Sequence, residues 1–205
     1  MLRGYIDLWL KGFNEETYKT LVNLGYKAVA VEDYHAATKR LPELIVVRKK
    51  IVSAESRKEL REKLHGIKSG NIIVSVRPLG VEVARMSAHD KRVDTIIMDD
   101  ETLYYIDKAQ LNMMKDFNKP LEICIAELLG FSPRKKAMIY RRINFALRRN
   151  IHLVLVSCAS NWNQVLIPVS SVYLFSLLAN IPLKKALETI TSTPHAILAK
   201  NGVKI

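Results

Sequence analysis

Apolar runs of strand length alternate with helix-like periodicity along most of this chain. Continuous or alternating Val, Ile and Leu predict strands at residues 5–10, 28–31, 43–53, 71–76, 93–98, 121–125 and 151–156. Apolar positions three and four residues apart predict helices over 56–65, 81–89 and 107–117. Two further helices are predicted to begin after Asn14 and after Ser132, and two or three more lie from Val169 onward. Breaks at 180–182 and 193–194 separate those last helices.

This order of elements predicts the fold class. About seven strands, most of them followed by a helix and rich in Val, Ile and Leu, are typical of a buried parallel sheet in an α/β protein. A TIM-barrel-like arrangement with extra C-terminal helices fits the strand count and loop lengths better than an open sheet does. The first strand–helix turn, 11–14, lacks the glycine-rich fingerprint of dinucleotide-binding folds. We predict a single barrel-like domain over residues 1–205.

The helix after Ser132 has an unusual distribution of charge. Residues 132–150 hold seven basic side chains and no acidic one. Ser132 is a good N-cap and Pro133 a good first helical residue. At 100° per residue, one face of the helix is apolar and consists of Ile139, Tyr140, Ile143, Ala146 and Leu147. The opposite face carries Arg134, Lys135, Arg141, Arg142, Arg148 and Arg149, with Met138 and Phe145 among them.

The charge of the whole chain indicates the same kind of partner. Lys and Arg number 32 against 20 Asp and Glu, which gives a net charge of +12. Such an excess favours an anionic partner, most simply nucleic acid. The basic cluster between Lys39 and Lys68 is diluted by glutamates, whereas the cluster at 134–149 is not. The alternative is a solvated helix face on which Phe145 is an ordinary exposed apolar residue.

Cysteine content and hydropathy indicate the cellular compartment of the protein. Cys124 and Cys158 lie far apart in apolar runs without metal-ligand spacing, so we expect buried thiols in a reducing cytosol. The first residues show no signal-peptide pattern, and we expect no apolar run to reach the roughly 18 residues that span a membrane. These features predict a soluble, cytoplasmic protein.

Candidate catalytic groups are few. Acidic residues follow several strands and allow a metal-dependent phosphoesterase as an alternative, with a site built from Asp7, Glu32, Asp33, His35, Asp99 and Asp100. The five histidines form no His-x-His or His-Glu-x-x-His pattern. The stretch 157–160 lacks the frame of a serine nucleophile, and the chain has no phosphate-binding loop. A third possibility is a protein-binding scaffold whose charge serves solubility.

Several motifs together resemble the archaeal ribonuclease P protein component 3 family. Arg85 and the run Arg92-Val93-Asp94 resemble its Asn-Arg-x-Ala…Arg-Val-Asp segment, with Ala84 in place of the Asn. Leu121-Glu122-Ile123 is similar to its Ile-Glu-Ile strand, and 156–159 to its Ser-Ser-x-Ala turn. Further motifs follow in the same order as in that family, so the resemblance covers essentially the whole chain. They lie at 128–130, Arg134, Pro168, 185–186 and 193–201. One departure is clear, because Leu166 and Ser170 replace an Arg and an Asp.

The resemblance implies a fold and a function. Members have a barrel-like fold related to polymerase-and-histidinol-phosphatase domains, without the metal-binding histidines. The chain would be a subunit of ribonuclease P, the endoribonuclease that removes the 5′ leader of precursor tRNA. The RNA subunit would carry the chemistry with bound Mg²⁺, and this chain would bind no cofactor. Its partners would be ribonuclease P RNA, protein component 2 and the other protein subunits, with precursor tRNA met indirectly and no membrane involved.

The resemblance and the basic helix together define the predicted site. We expect no catalytic or metal-binding residue on this chain. Met138 and Phe145 are expected to contact a partner protein or an unstacked base. For Arg85 the alternative is a structural ion pair with Asp90 or Asp94. The predicted RNA-binding residues are Arg85, Arg92, Arg134, Lys135, Arg141, Arg142, Arg148 and Arg149.

Overall fold

The computed structural model describes residues 4–32, 38–67, 70 and 72–205. The fold class is α/β and TIM-barrel-like, as predicted, with a parallel sheet in the order β1-β2-β4-β5-β6-β7-β8. One further strand, β3, pairs antiparallel with β4 and was not predicted. The strands are β1 (Tyr5–Leu10), β2 (Tyr26–Glu32), β3 (Thr38–Arg40), β4 (Ile45–Ala54), β5 (Ile72–Pro78), β6 (Thr95–Ile97), β7 (Leu121–Cys124) and β8 (Leu153–Val156).

The helices largely match the predicted ones. Asn14, Ser56 and Asp107 cap their helices, since each side chain accepts a hydrogen bond from a backbone N–H three residues later. Helix α5 was not predicted, because its six residues are too few to show a periodic pattern. The helices are α1 (Glu15–Asn23), α2 (Arg57–Leu64), α3 (Val81–His89), α4 (Lys108–Asp116), α5 (Ile125–Gly130), α6 (Pro133–Arg148), α7 (Pro168–Ala179), α8 (Leu183–Glu188) and α9 (Ser192–Lys200).

By their internal contacts the residues fall into two compact units. Unit 1 comprises Met1–Lys50, Gly70–Ile73 and Val154–Ile205. Unit 2 comprises Ile51–Ser69 and Val74–Leu153. The single domain over residues 1–205 stays a prediction.

Unit 1 is organised around β1. This strand runs parallel to β2, and Leu10 also forms a parallel bridge with Ala159. Strand β1 is therefore paired on both edges, and its side chains from Ile6 to Leu10 are all buried. Leu10 packs in a core cluster with Leu21 and Tyr26. Cys158, like Cys124 in unit 2, is buried and is not part of a disulfide among the described residues, in agreement with the prediction of buried thiols.

One segment of unit 1 corrects an expectation about hydropathy. Among the described residues, Trp162–Ala179 is long and apolar enough to cross a membrane, with 18 residues, a mean hydropathy of 1.3 and 33% of the segment buried. The expectation that no run reaches this length was wrong, because the segment contains polar residues but no charged one. Its continuous helix is α7, whose 12 residues extend about 18 Å, against about 30 Å of membrane hydrocarbon. Helix α7 also buries Val172, Phe175 and Ala179.

Unit 2 contains a parallel set formed by β5, β6 and β7. Ser75 pairs in register with Thr95, and Ile97 with Glu122. Glu122 is fully buried, and its Oε2 accepts hydrogen bonds from Ser75 Oγ at 2.9 Å and Thr95 Oγ1 at 2.5 Å. A carboxyl group without water needs such donors, so the two hydroxyls offset part of the cost of its burial.

The segment that follows β1 approaches residues 159–160 closely, and this contact gives a testable prediction. Gly12 donates to the Ala159 carbonyl at 3.2 Å, and a Cβ at Gly12 would collide with the Ser160 carbonyl oxygen. Gly12→Ala should therefore lower the free energy of unfolding by about 1–3 kcal/mol, measured by chemical denaturation. Gly130→Ala is the matched control, because its Cβ would meet nothing within 4 Å. Equal stabilities of the two variants would contradict the contact.

Candidate nucleic-acid interface

Helix α6 is held in unit 2 by one buried face. Ile139, Ile143 and Ala146 are buried, as the periodicity predicted, whereas Tyr140 and Leu147 are half-buried. The helix starts at Pro133, but the side chain of Ser132 makes no capping hydrogen bond. It ends at Arg148, and Asn150 follows with a left-handed φ of 57°. Burial of this face fixes which basic residues point to solvent.

The basic residues of α6 form two rows. Residues seven apart lie almost on one line along a helix, about 10.5 Å from one another. The outer row consists of Arg134, Arg141 and Arg148, which are all exposed. Among the described residues, these three have no hydrogen-bond or ion-pair partner, so their guanidinium groups are available to an external anion.

The inner row consists of Lys135, Arg142 and Arg149, which are half-buried. Lys135 Nζ lies 2.6 Å from Asp100 Oδ2, and this hydrogen bond raises the lysine pKa. Arg149 Nε donates to Asn112 Oδ1 at 2.6 Å, which joins the end of α6 to α4. Two of the three inner-row side chains therefore help to hold the helix in place. Their binding of RNA, like that of Arg142, stays a prediction.

The first turn of α6 concentrates positive charge at the positive end of the helix dipole. Arg134, Lys135 and Lys136 lie there with no acidic residue, where the dipole favours anions. Lys135 is neutralised by Asp100, but Arg134 and Lys136 have no acidic partner in the part of the chain that the structure describes. Lys136 was absent from the predicted site because it lies away from the basic face. Its position next to Arg134 and Lys135 in an unbroken basic run could have identified it from the sequence. An external anion bound at this end of α6 would reduce the repulsion between these positive charges and would interact favourably with the helix dipole.

Phe145 and Met138 lie between the two rows and are half-buried. The Arg149 guanidinium carbon stands 3.4 Å from the centroid of the Phe145 ring, so one face of the ring is already covered. A base that stacks on Phe145 would use its other face or replace Arg149. Contact of either residue with a base or a partner protein stays a prediction.

Arg85 and Arg92 each hold a carboxylate of unit 2. Arg85 binds both oxygens of Asp107, at 2.8 and 2.7 Å, and donates to Gln110 at 3.0 Å. The alternative of an ion pair was correct in kind, but the partner is neither Asp90 nor Asp94. Burial raises the pKa of Asp107, and the hydrogen bonds from Arg85 and the Gln110 N–H outweigh it, so the pKa lies below its usual value.

Arg92 likewise binds both oxygens of Asp90, at 3.0 and 2.7 Å, and lowers the pKa of that carboxyl. Both arginines therefore have a structural role within unit 2. Their binding of RNA stays a prediction.

The strand-end acids of unit 1 have partners within the unit. Buried Asp7 accepts hydrogen bonds from the N–H groups of Trp9, at 3.0 Å, and Ser157, at 3.2 Å. Glu32 accepts from the Trp9 indole at 2.9 Å. The ammonium group of buried Lys49 lies 5.3 Å from the centroid of the Trp9 ring. Asp33 and His35, also considered as metal ligands, lie outside the described residues.

The strand-end acids of unit 2 bind basic side chains. Arg77 Nε lies 2.6 Å from Asp99 Oδ2, and Asp99 Oδ1 accepts from the N–H groups of Glu101 and Thr102. Asp100 pairs with Lys135. The four described carboxylates of the phosphoesterase alternative are thus occupied by amide, indole, guanidinium or ammonium groups, which does not favour that alternative.

Leu166 and Ser170, which replace two charged residues of the resembled family, lie in unit 1. The Leu166 carbonyl accepts a hydrogen bond from the Tyr26 hydroxyl at 2.9 Å. Ser170 is exposed on α7. Neither position contributes to the basic surface of α6.

The buried state of Asp7 gives a pH-dependent prediction. Burial raises its pKa from 3.8 to about 6, so the folded chain holds this proton more tightly than the unfolded chain does. The contribution of Asp7 to the free energy of unfolding therefore falls as pH rises from about 4 to about 6. Raising the pH from 4 to 7 should therefore lower the free energy of unfolding of the parent by about 2 kcal/mol more than that of Asp7→Asn. Urea denaturation at both pH values measures this difference.

The exposed carboxylate Asp116 provides the control for that experiment. Asp116→Asn removes the same charge without touching a buried group. Parallel pH profiles for the parent and Asp7→Asn would contradict the effect of burial on Asp7.

Together the fold and the site define a TIM-barrel-like α/β protein that carries a cationic surface helix. Several solved structures share this fold at low sequence identity. A chain of the cryo-EM structure of archaeal ribonuclease P with mature tRNA matches with a TM-score of 0.76 and 17% identity, over 96% of this chain and 90% of that one. A Xaa-Pro dipeptidase with bound methionine matches with a TM-score of 0.63 and 11% identity, over 98% and 76%. A. niger ochratoxinase matches with a TM-score of 0.59 and 10% identity, over 95% and 71%.

Sequence similarity identifies the family. Ribonuclease P protein component 3 from Aeropyrum pernix (strain ATCC 700893 / DSM 11879 / JCM 9820 / NBRC 100138 / K1) is 30% identical over 192 residues, which cover 85% of this chain and 88% of the relative. No family model matches the chain. The chain belongs to the ribonuclease P protein component 3 family and is a protein subunit of ribonuclease P.

Proposed function

We propose that this subunit supports the catalytic RNA of ribonuclease P by placing the outer row of α6 against RNA phosphates. The RNA carries the chemistry that removes the 5′ leader of precursor tRNA, with bound Mg²⁺, and this chain contributes no catalytic group. The observation that carries the proposal is the outer row itself, three exposed arginines on one line with no partner among the described residues.

The outer row would stabilise the folded RNA by electrostatic screening. Folded RNA brings phosphates close together, and their repulsion must be screened by cations. A helix fixed by its buried face presents guanidinium groups at set positions about 10.5 Å apart. Arginine suits this role because its planar fork donates two hydrogen bonds to one phosphate. A surface of this kind should reduce the Mg²⁺ concentration that the active RNA fold requires.

The proposed assembly contains ribonuclease P RNA, protein component 2 and the other protein subunits, in the cytoplasm. Precursor tRNA meets this chain indirectly, and no membrane takes part. The occupied strand-end carboxylates support the placement of catalysis on the RNA, because Asp99 and Asp100 already bind Arg77 and Lys135. Arg85 and Arg92 also hold carboxylates, so changing them would alter stability along with any binding of RNA.

The outer row should determine how RNA affinity depends on salt. Replacing Arg134, Arg141 and Arg148 together by Gln should reduce the slope of log affinity against log salt by about 3, because each phosphate contact contributes about 1. Filter binding of the chain to ribonuclease P RNA at several salt concentrations measures this slope. The matched control replaces Arg57, Lys58 and Arg61, exposed basic residues of α2, by Gln. A similar slope change in both variants would show a general effect of net charge instead.

Reconstitution tests the function directly. Cleavage of precursor tRNA is followed while Mg²⁺ is titrated into ribonuclease P RNA and protein component 2, with and without this chain. We expect the parent chain and the α2 control to lower the Mg²⁺ requirement, and the outer-row variant to lower it less. An unchanged requirement on adding the parent chain would refute the proposal.

A further inference from the structure

Helix α7 of unit 1 presents an outward apolar face that nothing in the described structure covers. Val169, Tyr173 and Leu177 follow one another at intervals of four residues and are 69%, 58% and 67% exposed. Six of the ten exposed large apolar residues among the described ones lie between Trp162 and Leu183. Isolated exposed apolar residues are ordinary on a protein surface, but such a concentration on one segment marks an interaction site.

The orientation of this face is fixed by the opposite side of α7. Val172, Phe175 and Ala179 are buried, so turning the outward residues inward would expose these three. We define the α7 face as Ile167, Val169, Tyr173, Leu177 and Leu183. Leu183 is the first residue of α8, a helix that contacts α7.

Charge separates the α7 face from the rest of the chain. No Asp, Glu, Lys or Arg occurs in residues 151–183, a run of 33 residues in a chain that is 25% charged. Lys184 and Lys185 follow directly, and Lys185 pairs with Glu188 at 2.9 Å. Lys184 is exposed and has no partner among the described residues. The α7 face is therefore neutral and is bordered at one end by an unneutralised positive charge.

These charges select the class of partner. Nucleic acid needs cations or amide donors for its phosphates, and the α7 face offers no cation. A symmetric contact with a second copy would bring two chains of charge +12 together. The only acidic residue of α8, Glu188, already pairs with Lys185, so it does not relieve that repulsion.

A lipid surface also fits poorly. Helices that lie in a membrane surface carry Lys and Arg on the face opposite the apolar one. In α7 that opposite face is buried in unit 1 and has no charge. A protein with its own apolar surface and a bordering carboxylate would complement both the α7 face and Lys184.

We infer that the α7 face docks a second protein subunit of the assembly, one that presents an apolar helix or strand bordered by acidic side chains opposite Lys184. The inference rests on the proposed function, because the partner is taken to be a protein of ribonuclease P. It adds a surface and a partner chemistry that are separate from the basic rows of α6.

Titration calorimetry with purified protein component 2 as the probe tests the inference. Val169→Glu and, as a variant without added charge, Tyr173→Ala should each weaken binding about tenfold or more, because they alter a desolvated apolar contact. Val81→Glu is the matched control, since Val81 is also an exposed valine, 50% exposed, in the first turn of a helix. It should bind as the parent does. Lys184→Glu should also weaken binding, because it reverses the charge that faces the partner.

The alternatives give different results. Parent-like binding by Val169→Glu and Tyr173→Ala, or no binding of component 2 by the parent, would overturn the inference. So would self-association of the parent, or its binding to neutral phosphatidylcholine vesicles, if either were lost in these variants. The salt slope for RNA is measured on the same variants and should stay unchanged. Failure of docking can thus be told apart from failure of the proposed role of α6.

Discussion

Burial of the strands is the constraint on which the other features of this structure depend. Each side chain of β1 from Ile6 to Leu10 is inside the protein, including Asp7 and Trp9. Polar groups in such places must find partners in the protein, because water does not reach them. Asp7 accepts backbone hydrogen bonds and Glu122 accepts hydroxyl ones. Burial still raises the pKa of Asp7, which shows that these hydrogen bonds compensate only part of the lost hydration.

The same constraint explains why the described acidic strand ends are paired within the protein. Catalytic carboxylates need a free oxygen for a metal ion or a proton. Here Asp99 binds Arg77 through one oxygen and the N–H groups of Glu101 and Thr102 through the other, and both oxygens of Asp100 contact Lys135. The charges that could have formed a site are used to hold side chains and helices in position. In the proposed assembly, the outward arginines of α6 would meet RNA and the neutral face of α7 would meet a protein.

The two surfaces differ because their helices lack opposite kinds of residue. Helix α6 has no acidic residue to neutralise its arginines, so its outward side is suited to phosphates. Helix α7 has no charged residue of either sign, so its outward side is suited to apolar contact. Both helices bury a mostly apolar face, so only their outward faces differ in kind. A partner RNA and a partner protein would therefore be recognised by different physical forces, one dependent on salt and the other on buried apolar area.

Sequence periodicity by itself determined most of the elements and the outward arginines. Strand Tyr5–Leu10 and helix Val81–His89 were predicted with their observed bounds, because a continuous apolar run and a helical period of apolar residues are both local features of the sequence. The short β3 and α5 were missed, since three and six residues carry too little periodicity. Only the tertiary structure decided which cations are free. Lys135 meets Asp100 across 35 residues and Arg85 meets Asp107 across 22, and such distant pairs depend on how the helices pack.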